Sequence, residues 1–267
     1  MNSVSVRGLL VRGMLAGLLA GCLALLVAYF LGEPHLDAAI AYEEGGAEAP
    51  GHSHGSGGHD GAAAHSHDHA EEPLVSRTVQ ATAGLAAGIV VFGVCAGGIA
   101  SLAVAYALGR VGRFGPRATS LLVAGGALLA VYVVPFLKYP ANPPGVGDPA
   151  TIDRRTQLYF LLLALGVLLA LLAVVAGRRL APRLGSWNAT LAAGGAFVAA
   201  IGLAYALMPS LNEVPADFPA QLLWQFRLSA LAVHVTLWAS FGVVFGLLAE
   251  RQLLPGSAPA RSVAAVS

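Results

Sequence analysis

Charged residues are scarce in this 267-residue sequence and account for 11% of it. A soluble globular domain usually has about a quarter of its residues charged, so this composition argues against an ordinary soluble fold. The net charge of +1 and the absence of a basic patch or a glycine-rich nucleotide motif argue against nucleic-acid or ATP binding. Two cysteines, Cys22 and Cys95, both lie in apolar runs. We expect small buried side chains there rather than a disulfide framework or a CxxC site.

Long apolar runs dominate the sequence instead, and hydrophobic residues make up 57% of it. A run of about 18 or more apolar residues predicts a transmembrane helix. The pattern predicts an all-α integral membrane protein with six transmembrane helices in a single membrane domain, residues 1–267. The runs cover residues 9–31, 79–108, 119–137, 158–176, 189–208 and 226–249.

The first run has a second interpretation. Arg7 and Arg12 before an apolar core are typical of a signal peptide, and Leu19-Ala20-Gly21-Cys22 is similar to a lipoprotein cleavage box. The apolar run nevertheless continues past Cys22 to Leu31, whereas a lipidated cysteine normally opens a polar segment. This continuation favours a retained helix.

The distribution of charge predicts the orientation. With six spans, ten of the fifteen basic residues fall on the side of the two termini, which places both termini in the cytoplasm by the positive-inside rule. The chain then forms three outward-facing hairpins. Thirteen of the fourteen acidic residues fall on the outer side, where an acidic face would concentrate cations.

Glycines recur at four-residue spacing within the spans, a pattern typical of close helix packing in lipid. The triple repeat Gly13, Gly17 and Gly21 is the strongest case. The other pairs are Gly84 and Gly88, Gly93 and Gly97, and Gly242 and Gly246.

The first outer loop, residues 32–77, is predicted to be disordered and rich in histidine and acidic residues. Six of the eight histidines fall within residues 52–69, and imidazole is a common ligand of transition metals. The tract therefore predicts capture of a divalent metal, with affinity falling below about pH 6 as the imidazoles protonate. The alternative is a solvated spacer. The predicted ligands are His52, His54, His59, His65, His67 and His69.

The second and third outer loops share a sequence pattern and form a weak internal repeat. Each leaves a helix at a proline, reaches an asparagine and carries carboxylates among further prolines, which should keep it stiff. Such loops can hold oxygen ligands for a metal, although they could equally be polar segments that end helices. The candidate ligands are Asn142, Asp148, Asp153, Asn212, Glu213 and Asp217.

These loops also carry a family resemblance. Pro-Phe-Leu-Lys-Tyr-Pro-Ala-Asn-Pro-Pro-Gly-Val-Gly-Asp-Pro (135–149), Met-Pro-Ser-Leu-Asn-Glu-Val-Pro-Ala-Asp-Phe-Pro (208–219) and Leu-Trp-Gln-Phe-Arg (223–227) resemble the CbtA family of predicted bacterial cobalt transporter subunits. The resemblance implies a role in cobalt uptake, often linked to cobalamin synthesis. Together with the apolar runs and the charge distribution, the sequence predicts a multi-pass protein of the bacterial inner membrane whose histidine-rich loop is extracytoplasmic. It also implies a small single-span partner, CbtB, that bears its own histidines.

Two further histidines are candidate ligands. His234 lies near the middle of the last span, and an ionisable residue there is a functional hypothesis by default. His35 follows the first span, close to Glu33 and Asp37. For both, the alternative is a neutral imidazole hydrogen-bonded between helices.

The sequence therefore predicts membrane uptake of a divalent transition metal, not an enzyme. Cobalt is favoured only through the resemblance, and nickel or zinc fits the same ligands. No cofactor is expected, the surroundings are lipid, and a homo-oligomer is compatible with the pattern. Two alternatives remain: an accessory metal-binding subunit that serves a separate transporter, and a membrane enzyme that uses the paired outer loops.

Overall fold

The computed structural model of the protein describes residues 3–47 and 76–253. Within these ranges every regular element is a helix, which confirms the predicted all-α class. The α-helices are α1 (Ser3–Val27), α2 (Glu33–Ala47), α3 (Arg77–Val79), α4 (Leu85–Ala107), α5 (Pro116–Ala127), α6 (Val134–Lys138), α7 (Ile152–Leu207) and α8 (Ala220–Leu253).

Three π-helical segments join neighbouring α-helices into longer rods. They span Ala28–Gly32, Gln80–Gly84 and Leu128–Val133. In the described ranges this gives five helices long and apolar enough to cross a membrane. They are Val6–Gly45, Arg77–Ala107, Pro116–Lys138, Pro149–Leu207 and Ala220–Leu253.

The first of these rods extends beyond the predicted span, which ended at Leu31. Helix α2 continues to Ala47, so the prediction of a disordered loop from residue 32 is wrong for residues 33–47. Pro34 does not end the rod, because a π-helical turn directly before it changes the local hydrogen-bond pattern. Ala39 in α2 is fully buried in a cluster with Phe218, which gives the extra helix a tertiary contact.

Helix α7 contains two of the predicted spans, 158–176 and 189–208. Gly185 interrupts it with φ 75° and ψ 158°, a conformation that glycine adopts at little cost. A Cβ atom added to Gly177 would lie 3.4 Å from the Cβ of Ala193. The two halves of α7 therefore fold back on each other at Gly185.

The same hairpin packs on the end of the third rod. Leu162 from its first half and Ile201 from its second half share a buried cluster with Val134. The Tyr205 hydroxyl donates to the carbonyl oxygen of Val134 at 2.5 Å. The predicted loop between spans four and five is thus a sharp bend between helical segments.

Glycine contacts bring α1 against α4. A Cβ on Gly17 would overlap the carbonyl oxygen of Gly93, and one on Gly97 would lie 2.5 Å from that of Gly13. These contacts confirm the predicted packing faces of α1 and of the 93/97 pair.

The other predictions for glycine and cysteine residues have different outcomes. Gly242 lies against α5, since an added Cβ would be 3.0 Å from that of Ala124, and this confirms the 242/246 pair. Among the described residues nothing lies within 4 Å of a Cβ atom added to Gly88, so the structure shows no close packing at this position. Cys22 and Cys95 are exposed on the surface of the bundle rather than buried, because the glycines beside them occupy the helix contact.

The two ends of the bundle differ. At the first, Arg12 donates to Gln252 at 2.8 Å and Arg117 forms an ion pair with Glu250. We call this the terminal end, because both described chain termini meet there. At the opposite end, α2 lies beside residues 138–151 and 208–219, and we call it the loop end.

Candidate functional site

A cavity of about 390 Å³ opens at the loop end. It lies between the end of α6, the first turns of α7, the start of α8 and the two proline-rich segments. Its wall combines aromatic rings, three cationic side chains, one carboxylate and one amide. The lining residues important here are Tyr132, Phe136, Lys138, Tyr139, Asn142, Arg155, Tyr159, Phe160, Glu213 and Arg227.

Glu213 fastens the start of α7 to the third predicted loop. Its side chain is only 8% exposed. One carboxylate oxygen accepts from Arg155 Nη1 at 2.6 Å, and the other accepts from the Thr151 hydroxyl at 2.5 Å. Both oxygens of this predicted metal ligand therefore already have partners within the chain.

Arg227 fastens α8 to the second predicted loop. Its Nη2 donates to the side-chain oxygen of Asn142 at 2.8 Å, and its Nε donates to the carbonyl oxygen of Ala141 at 3.3 Å. Asn142, predicted as a metal ligand, thus uses its oxygen to bind a guanidinium group.

Two side chains at the end of the third rod connect the two loops. Lys138 donates to the Ser210 hydroxyl at 2.9 Å, and the Tyr139 hydroxyl donates to the carbonyl oxygen of Pro209 at 2.8 Å. Burial raises the pKa of Tyr139, so its hydroxyl keeps this proton at neutral pH. The two outer loops that share a sequence pattern are therefore in contact with each other.

Tyr132 connects the cavity to the interior of the bundle. Its ring stacks on His234 with centroids 3.5 Å apart and on Phe136 with centroids 5.3 Å apart. Its hydroxyl is buried and has no hydrogen-bond partner among the described residues. His234 Nδ1 lies 3.0 Å from the carbonyl oxygen of Ala230, one turn earlier in the same helix.

His35 lies in a separate cluster between the first rod and α8. Its Nδ1 contacts the carbonyl oxygen of Leu31 at 2.6 Å, and the Ser229 hydroxyl lies 3.1 Å from the same nitrogen. Nearby, Arg77 pairs with Glu33 at 2.5 Å and with Asp37 at 2.7 Å. The two acidic residues next to His35 therefore share one arginine from the second rod as their counter-charge.

The remaining predicted ligands are spread over the loop end. Asp148 accepts from the backbone N–H of Ala150 at 2.9 Å, and Asp217 accepts from the Tyr42 hydroxyl at 3.3 Å. Asp153 and Asn212 are exposed. Among the residues that the structure describes, no three His, Cys, Asp or Glu side chains form a group that could hold a metal. The six tract histidines, 52–69, lie outside the described residues.

The cationic lining was missed at the sequence level, although a signal for it was present. In the orientation expected from the sequence, five basic residues fall on the side that the positive-inside rule disfavours. Arg77 pairs with acids away from the cavity. Lys138, Arg155 and Arg227 line the cavity, and of these three Arg155 pairs with Glu213. Basic residues retained on the wrong side of a membrane protein can indicate a site.

Comparison with known proteins gives one match. The model of a family described as a probable cobalt transporter subunit (CbtA) matches residues 6–250, nearly the whole chain. No curated protein and no solved structure matches.

Proposed function

The chain belongs to the CbtA family, and from this membership we propose that it is the membrane-embedded subunit of a cobalt-uptake system. The observation that carries the proposal is the family match over residues 6–250. The long apolar helices support it, because they are suited to a lipid environment.

We propose six membrane crossings, with both termini in the cytoplasm and the loop end outside. The bend at Gly185 supports this count, since it divides the fourth apolar helix into two antiparallel segments. An even number of crossings agrees with the contact of Arg12 with Gln252 near the two termini. The excess of basic residues at the terminal end supports the orientation.

We propose that the histidine tract collects the metal and the exposed oxygen-bearing side chains of the loop end, such as Asp153, Asn212 and Asp217, attract it to the surface. Glu213 and Asn142 serve mainly to fix the loops, because arginines already occupy their oxygens. His35 and His234 are the imidazoles available deeper in the chain, so they are the candidates for later contacts with the ion. Imidazole and oxygen ligands accept nickel and zinc as well as cobalt.

The family description as a subunit supports a second protein in the system. We propose that this partner is a small, single-span protein that bears histidines of its own. The accessory role, in which this chain binds metal for a separate transporter, is the competing proposal.

Uptake of radioactive cobalt into right-side-out membrane vesicles tests the function. Vesicles that contain the full chain and its partner should accumulate cobalt saturably, with nickel and zinc as competitors. Vesicles that contain the partner alone are the matched control. Equal accumulation with and without this chain would overturn the proposal. A direct role in transport would be overturned if vesicles that contain the partner and a variant of this chain unable to bind metal showed full uptake.

A variant that lacks residues 52–69 tests the role of the tract. We expect reduced uptake at low cobalt and normal uptake at high cobalt, because a flexible collector raises local concentration without defining the path. A variant in which serine replaces the six histidines keeps the length and should behave in the same way. Loss of uptake at high cobalt in both variants would contradict this division of roles.

A further inference from the structure

We propose that the cavity at the loop end binds an anion, namely a carboxylate or phosphate group carried on an apolar body. This proposal does not rest on the proposed metal path.

The charge of the lining is the first observation. Lys138, Arg155 and Arg227 line the cavity together with a single carboxylate, Glu213. Glu213 forms its ion pair with Arg155. No ion pair within the described ranges includes Lys138 or Arg227, whose polar partners are a hydroxyl, a carbonyl and an amide oxygen. Two positive charges therefore remain to attract an anion.

The position of these cations strengthens the attraction. Lys138 and Arg227 are both partly buried, and charges screened less by water interact more strongly with a counter-ion. A guanidinium group carries five N–H donors, so Arg227 keeps donors for an oxyanion beside its hydrogen bonds to Asn142 and Ala141. A divalent cation would be repelled by the same lining.

The aromatic wall indicates the rest of the ligand. Phe136, Tyr159 and Phe160 line the same cavity, whose volume of about 390 Å³ is suited to a small molecule. Apolar pockets with a few convergent polar groups typically hold ligands that have an apolar body and one charged group.

The Tyr132 hydroxyl is a second, independent observation. Tyr132 lines the cavity and is only 7% exposed, yet its hydroxyl has no partner among the described residues. Buried hydroxyl groups are normally hydrogen-bonded, because burying an unpaired one is costly. An oxyanion at the inner end of the cavity, reached by a small shift of a neighbouring side chain, would accept this hydrogen bond in addition to those from the cations.

The purified full chain in detergent and EDTA provides the test, with phenyl phosphate and benzoate as probes and benzyl alcohol as the neutral control. Isothermal titration should show saturable binding of the anions but not of the alcohol. Lys138→Gln should weaken binding about tenfold, the scale of one charge-assisted hydrogen bond. Tyr132→Phe should also weaken it about tenfold, because a hydroxyl that donates to an oxyanion forms a charge-assisted hydrogen bond as well.

Arg251→Gln at the terminal end is the matched control and should leave affinity unchanged. Both Lys138→Gln and Tyr132→Phe retain bulk at their positions, and thermal unfolding of each variant verifies that it is folded. The absence of saturable binding by the wild type, or unchanged affinity in both folded cavity variants, would overturn the proposal.

Nanodiscs distinguish a soluble ligand from a lipid headgroup. If phosphatidylglycerol occupies the cavity, nanodiscs of this lipid should weaken phenyl phosphate binding relative to phosphatidylcholine nanodiscs, and Lys138→Gln should remove the difference. If the ligand is soluble, the two lipids should give equal affinity. Either result supports an oxyanion site. EDTA removes metal ions from the binding measurement, so a failure of cobalt uptake would not contradict the proposed anion site.

Discussion

Glu213 connects two segments that are far apart in sequence. Its two oxygens bind Arg155 and Thr151, at the start of the fourth apolar helix, while its own segment follows the end of that helix. The carboxylate is nearly buried, whereas Arg155 is about one third exposed at 32%. Breaking such a pair leaves a partly buried guanidinium group without its counter-charge.

Glu213→Gln should therefore lower the free energy of unfolding by about 1–3 kcal/mol, less than for a fully buried pair because water reaches Arg155. Thermal or denaturant unfolding in detergent measures this. A double variant with Arg155→Gln should lose less than the two single losses combined, since each single change removes the same interaction.

Asp153→Asn is the control, because this residue is exposed and lies near Arg155 in the same helix. It should change stability by less than about 0.5 kcal/mol. Additive losses in the double variant, or an equal loss at Asp153, would show that the Glu213 ion pair does not hold the loops together.

Glu213 also illustrates a contact that cannot be predicted from the sequence. The pattern of proline, asparagine and acid in residues 208–219 predicts a stiff segment, and in the structure this segment makes defined contacts through Pro209 and Glu213. It cannot indicate that Glu213 meets an arginine 58 positions earlier, because that pairing depends on how α7 folds back. A carboxylate that looks like a metal ligand in sequence is thus part of an ion pair in the fold.

At the scale of elements, the contact of α1 with α4 depends on the absence of side chains. Backbone carbonyl oxygens occupy the space that a methyl group on Gly17 or Gly97 would need. Helices in lipid associate largely through such close packing, since there is little hydrophobic drive between them.

Gly97→Ala should consequently destabilise the bundle by about 1–3 kcal/mol, the cost of forcing an extra methyl group into a packed contact. A lowered unfolding temperature in detergent is the expected measurement. Gly88→Ala in the same helix is the control, because no described residue lies within 4 Å of its added Cβ atom. It should be neutral or slightly stabilising, as alanine is the better helix former. Equal effects at the two positions would contradict the packing argument.

Hydropathy predicts the positions of these helices more accurately than it predicts their ends. The apolar runs coincide with the observed rods, because lipid requires long helical segments whose backbone groups are satisfied internally. The first rod nevertheless continues to Ala47 through polar residues. Its extension is stabilised by tertiary contacts, such as Tyr42 with Phe218, that no local pattern reveals.

At the scale of the whole molecule, the fourth apolar helix stands apart. Only 11% of its most apolar window is buried within the chain, against 33% for each of the other four. This hairpin is therefore the part of the described structure that presents most of its surface to lipid or to a partner. The proposed count of six crossings depends on its bend at Gly185.

The bend gives a prediction for topology. Residues 186–207 span about 33 Å as a helix, which matches a hydrocarbon core of about 30 Å. Ser186 and Ser210 should then lie on opposite sides of the membrane, and both are exposed. With Cys22 and Cys95 replaced by alanine, Ser210→Cys should react with a membrane-impermeant maleimide in intact spheroplasts. Ser186→Cys should react only after the membrane is opened. Labelling of both from the same side would exclude a crossing by this segment, and with it the six-span topology.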